Sequence, residues 1–331
     1  MPAFPTNDQD DEEETVASGR IDLDYELPAS EWRPIPPGEP FGPVPQRFID
    51  GSIQSRTVAS LLVDYRQRPV IAAVASAASL RLEGRRLTRE PGGRILKALA
   101  VNSNGISAEE LEEARSILSE QDVELIVSEA EEPSNFDAMR RSARQRAMTA
   151  MEDLERDVML AQPDVPTLMD GLLERRLARQ REDVPVFGLV KRQISSYLPS
   201  GLQEMVYRLK TGERSPIFVL DTVQHVSIAN TYLRLSSPPG ASPTYGIVRV
   251  TAPLAYLHSN PELATADARG AFFSGLVAFL SSIRQRDFAY ARAGISVEPI
   301  VRLEDHLHAI QPDIEVLVQK IHRLLPRTRL D

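Results

Sequence analysis

Apolar and polar positions alternate in blocks that change period along the chain, and the most apolar block is "RPVIAAVASAASLRL" at 68–82, which predicts a strand. Shorter apolar runs bounded by turn residues predict others at "RFIDGSI" (47–53), "VELIVSE" (123–129), "VPTLMDG" (165–171) and "VPVFGLVK" (184–191). "ILKALAVN" (95–102) reads as a strand, with a helix as the alternative. "SAEELEEARSIL" (107–118) opens on a serine cap and an acidic first turn, so it predicts a helix. The longest helical pattern covers 135–161, with Met148, Met151, Leu154, Val158 and Met159 on its apolar stripe. "ATADARGAFFSGLVAFLSSIRQ" (264–285) predicts a long buried helix, and 297–325 predicts one or two more. "SGLQEMVYRL", "SPIFVLD", "TYLRLS" and "YGIVRVTAP" (245–253) continue the mixture, and no internal repeat is present. Strands and helices in this order predict an α/β fold with a mixed sheet.

Composition narrows the chemistry. The 331 residues contain no cysteine, which removes disulfides, thiolate nucleophiles and cysteine-based metal sites. No basic, apolar leader opens the chain and no run of about 18 apolar residues follows, so a soluble cytoplasmic protein without a membrane partner is expected. The net charge of -9 argues against a polyanionic partner until its location is considered. Residues 1–31 carry ten acids and one arginine, leaving 37 acids and 37 bases in the rest. The body is therefore neutral, and its bases are mostly arginine, which suits phosphate contacts. Residues 1–44 read as an acidic, proline-rich segment, disordered at first and then extended, with Trp32 as its anchor; 45–331 read as the folded domain.

Two stretches share a feature that suggests chemistry. "FIDGS" and "LMDGL" each run an apolar pair into Asp-Gly, at Asp50 and Asp170. Carboxylates delivered at strand ends from separate segments can hold Mg²⁺ or Mn²⁺, whose hard-oxygen preference leaves positions for phosphate oxygens. The neighbouring glycine allows a turn and a close approach. Asp-Gly is also an ordinary turn dipeptide. On the long helix, Glu152 or Glu155 supplies a third carboxylate. "LEDHLHA" crowds Asp305 and His306 at what reads as a helix start, where Asp305 also serves as a cap. Lys191 ends an apolar strand and suits a phosphate, and "RRSARQR" and "ERRLARQR" place Arg140, Arg141, Arg144, Arg175 and Arg176 on helices, with Arg192 beside Lys191. Such bases grip a phosphate backbone without reading sequence. Nucleotide-binding glycine loops, nucleophile elbows and paired zinc histidines are absent from the sequence.

Taken in order, Asp50-Gly51-Ser52, a helical Glu, Asp170-Gly171, "GLVKR" and "LEDHLHAI" resemble the NurA nucleases over roughly residues 45–325. The resemblance implies an RNase H-like fold, with a mixed β-sheet flanked by helices, and DNA nuclease activity dependent on Mn²⁺ or Mg²⁺, as a 5′-to-3′ exonuclease on ends and a single-strand endonuclease. It implies a homodimer enclosing DNA and a hexameric translocase partner, the HerA-type ATPase. By the same resemblance Asp50, Glu152 (or Glu155), Asp170 and Asp305 (with His306 adjacent) are the metal ligands, and Lys191 the phosphate contact. The rival expectation is an inert adaptor that docks on a hexameric ATPase. Separation of the Asp50 and Asp170 carboxylates by more than about 8 Å would exclude a shared ion.

Overall fold

The computed structural model describes residues 20–39, 41–63, 65–132, 134–177, 183–191, 197–222, 225–285 and 295–324. The acidic tail at 1–19 and Arg192 lie outside these. Strands β1 (Ile21–Asp22), β2 (Arg47–Val63), β3 (Arg66–Glu83), β4 (Arg86–Arg89) and β5 (Arg94–Asn102) come first. Next are α1 (Ala108–Ser119), β6 (Glu124–Ser128), α2 (Phe136–Leu160), β7 (Thr167–Asp170), α3 (Glu174–Leu177) and β8 (Val186–Val190). The order continues through α4 (Ser200–Tyr207), β9 (Phe218–Asp221), β10 (Ser227–Arg234) and β11 (Ile247–Pro253). It closes with α5 (Leu254–Ser259), α6 (Ala266–Ser282), α7 (Glu298–Ile310) and α8 (Ile314–Leu324). Among the described residues, mixed pairing of eleven strands with flanking helices makes the fold α/β. Among the described residues no helix is long and apolar enough to cross a membrane.

The chain forms two compact units, one of Met1–Val44 with Gly171–Val297 and one of Pro45–Asp170 with Glu298–Asp331. In the first, β1, β9, β10, β11 and β8 pair antiparallel in that order. The described part of its N-terminal segment is docked. Ile21 pairs with Leu220, and the Trp32 ring stands 6.0 Å from Phe218 while its Nε1 donates to the Leu23 carbonyl. Glu26 accepts two hydrogen bonds, of 2.7 and 2.8 Å, from the guanidinium of Arg214, which is 1% exposed.

In the second unit β2 and β3 form a long antiparallel hairpin, β3 pairs with β4 and β5, and the β2–β7 and β5–β6 pairs are parallel. The apolar run of β3 lacks alternation because both of its faces are covered. Val70, Ala72 and Val74 pack with Leu118 of α1 and with Leu317, Val318 and Ile321 of α8. On the same side Ala78 and Leu80 meet Leu303 and Leu307 of α7. Ile71 and Ala73 point the other way, where Ala98, Ala100, Ala143 and Ala147 let α2 lie close. Residues two apart in one strand therefore belong to one core, and residues one apart to different cores.

Two buried polar contacts set helix positions. Arg47 donates to the Val158 and Met159 carbonyls at the end of α2 and ion-pairs with Glu90, which also pairs with Arg81. The arginine thus satisfies carbonyls that a helix C-terminus leaves without partners. On the opposite side Gln311, just past α7, donates to the Val74 carbonyl at 2.7 Å and accepts from Ser76 Oγ.

Candidate metal centre

Asp50 sits inside the 17-residue β2 rather than at a strand end, and it is 7% exposed. It stands opposite Ala78 on β3, and residues directly opposite share a face. That face carries α7, through Ala78, Leu303 and Leu307. The parallel register matching Phe48 to Leu168 and Ile49 to Met169 continues to place Asp170 beside Asp50. Asp170 ends β7, as its sequence suggests.

A third carboxylate arrives from α7. Ligand oxygens of Asp50, Asp170 and Glu304 all lie within 4.8 Å of one another. Asp305, one residue on, is exposed at 58% of its side chain and stands 4.0 Å from Arg302. The helix explains the difference. Ile300, Leu303 and Leu307 are buried, Glu304 follows Leu303 by about 100°, and Asp305 by about 200°, on the far side. "LEDHLHA" lies in the middle of α7 rather than at its start, so Asp305 is not a cap. Extending the apolar period of 300, 303 and 307 through this segment would have singled out Glu304. His306 is partly buried; burial, together with Arg89, lowers its pKa.

The glutamates of α2 lie elsewhere. Glu152 is 9% exposed and Glu155 1%, and neither joins the set that holds Asp50. The buried stripe of α2 runs through Met139, Ala143, Ala147, Met151, Glu152, Glu155, Val158 and Met159, with Met148 and Leu154 only partly buried. Gly51 faces α2, opposite Ala77, one residue out of phase with Asp50. A Cβ built on Gly51 would fall 2.9 Å from Glu155 Oε1 and closer still to Met151 Sδ. Gly51 therefore makes room for helix α2 and is not a turn residue. Gly171, at φ +92°, is one.

The remaining sequence candidates are more scattered. Lys191 directly follows β8 and is partly buried in the unit that contains Gly171–Val297. Arg140 pairs with Asp137 at 3.1 Å, Arg141 is exposed, Arg144 partly buried and Arg175 exposed. Arg176 is 6% exposed and its guanidinium folds back onto the Leu172 carbonyl, so it does not present a surface charge.

Three carboxylates suit a hard divalent ion. Oxygens about 2.1–2.4 Å from one ion stand at most about 4–5 Å apart, which this set meets. Ionised together at such separations, each pair repels by about 3 kcal/mol at an effective dielectric near 20. A divalent cation reverses that balance, so the group is able to hold a metal ion. No family model matches the chain, and no characterised protein matches it.

Proposed function

We propose that the protein is a metal-dependent phosphodiesterase acting on DNA, with Asp50, Asp170 and Glu304 holding Mn²⁺ or Mg²⁺. The observation that carries this reading is the convergence of three acids from β2, β7 and α7 within 4.8 Å, although the outer two are 254 positions apart from Asp50 to Glu304 in the 331-residue chain. The bound ion would supply Lewis-acid activation for phosphodiester hydrolysis. The acids orient it, while Leu303 and Leu307 seat the helix that carries Glu304. Exposed Arg141 offers a phosphate contact that reads no base. The mixed sheet with helices on both faces in this unit agrees with an RNase H-like core, and the ordered motifs resembling NurA nucleases point to DNA as substrate. The homodimer and the HerA-type motor follow from the same resemblance. Purified protein should degrade linear DNA when Mn²⁺ is added and stop when it is chelated. Asp50→Asn should reduce the rate at least 100-fold with an unchanged circular dichroism spectrum. Full activity in that variant would overturn the metal-centre reading, and a parent protein without Mn²⁺-dependent cleavage would leave an inert adaptor in its place.

A further inference from the structure

The β2–β3 hairpin reaches well beyond the metal centre. β7 pairs only with Arg47–Ile49 of β2, while β3 follows β2 as far as Val63↔Arg66. Thirteen residues separate Asp50 from Val63, which at about 3.3 Å per residue spans roughly 40 Å. The arm is braced for most of that length. Val58, Ala59 and Leu61 pack against the core that includes α8, Arg56 pairs with Glu315, and His322 Nε2 lies 3.2 Å from the Val58 carbonyl. Beyond Leu61 the bracing stops: Leu62 is 71% exposed, Tyr65 96%, and Arg66 is exposed.

Two features mark Tyr65. It adopts φ +61°, a left-handed conformation that costs a bulky side chain on the order of 1 kcal/mol. It also holds its whole ring in water, at the end of an arm stiff enough to present it. The positive φ belongs to the two-residue loop between Val63 and Arg66, where a tight hairpin calls for it; only the exposed ring has no task in the fold.

We propose that this tip is a contact for nucleic acid, with the Tyr65 ring stacking on an unpaired base and Arg66 meeting the adjacent phosphate. The proposal rests on the DNA reading of the metal centre and adds a residue to it. Chemistry and size favour this partner. An aromatic ring beside a guanidinium, on an arm whose other exposed residues include Gln54, Ser55, Ser60 and Gln67, matches a stacking platform for single strands. A Tyr and a Leu together offer on the order of 300 Å², far below the roughly 800 Å² per partner of a stable protein interface. Stacking requires a base free of its duplex neighbours, so the tip would hold an unpaired end or strand about 40 Å along the arm from Asp50.

Fluorescence anisotropy with a labelled 20-nucleotide oligothymidine, in EDTA to prevent cleavage, tests it. Base–aromatic stacking is worth about 1–3 kcal/mol, so Tyr65→Ala should raise Kd about 5- to 150-fold, while Tyr65→Phe should stay within about twofold of the parent. Hydrolysis of bis(p-nitrophenyl) phosphate with Mn²⁺, too small to reach the tip, should be equal in all three proteins. Unchanged oligothymidine affinity in Tyr65→Ala, or no affinity in the parent, overturns the tip contact. A shift in sedimentation of Tyr65→Ala, or loss of flotation with anionic vesicles, overturns it in favour of a second copy or a lipid surface. Failure of the parent to hydrolyse the small phosphodiester sinks the metal-centre reading instead, and the anisotropy result still decides the tip.

Discussion

Gly51 and Gly171 follow aspartates in the same dipeptide and perform different tasks. Gly171 turns the chain at φ +92°, whereas Gly51 continues a strand and leaves room for Met151 and Glu155. A methyl at position 51 has nowhere to go unless the Met151 and Glu155 side chains of α2 shift. Gly51→Ala should therefore destabilise the protein by about 1–3 kcal/mol, the usual range for overpacking a filled core, as read from urea denaturation. Stability equal to the parent would mean that the Met151 and Glu155 side chains yield to the methyl at no cost.

At the scale of elements, α2 is tied to the start of β2 by Arg47 and by Glu90, which bridges Arg47 and Arg81. Desolvation pushes the Glu90 pKa up, but hydrogen bonds from Ser79, Arg47 and Arg81 together outweigh it, and the net shift is downward. A carboxyl with a lowered folded-state pKa contributes stability that is complete above its unfolded value of about 4.5 and is lost as pH falls through the folded value. Thermal unfolding followed from pH 7 to pH 3 should show this loss in the parent protein. Glu90→Gln should have a lower melting temperature at pH 7 and a shallower decline with acid. Parallel curves for the two proteins would show that the bridge does not couple stability to pH.

For the whole molecule, metal binding and stability are one equilibrium. An ion held only by the folded state stabilises it by about 2.7 kcal/mol at a hundredfold excess over Kd. Mn²⁺ should accordingly raise the melting temperature of the parent and of Asp305→Asn, whose carboxylate points away from the set, but not of Glu304→Gln. An equal rise in Glu304→Gln would remove Glu304 from the centre. The long-range charge pattern acts separately, since the formal -9 of the chain is matched by the excess of acids in residues 1–31. The rest is neutral, and the hairpin tip is neutral too, with Asp64 and Arg66 on either side of Tyr65 in the sequence.

Much of this was legible in the residues themselves. The strands around Asp50 and Asp170, the capped helix after Ser107, the long helix ending at Leu160 and the apolar helix of 266–282 follow from local period and from cap chemistry. Two similar apolar approaches to an acid single out Asp50 and Asp170 as candidates, and the parallel β2–β7 register is what brings them together. Local period also tells which side of α7 is apolar, and so separates Glu304 from Asp305. It does not tell which face of a sheet a distant helix covers. That choice depends on how the apolar stripes of α2 and α7 fill the two sides of β3, a packing problem shared by segments more than a hundred residues apart. Tertiary structure put α7 over Asp50 and α2 over Gly51, and the single-residue alternation of a strand then assigned Glu304 to the metal centre and Glu155 to the opposite side of β2.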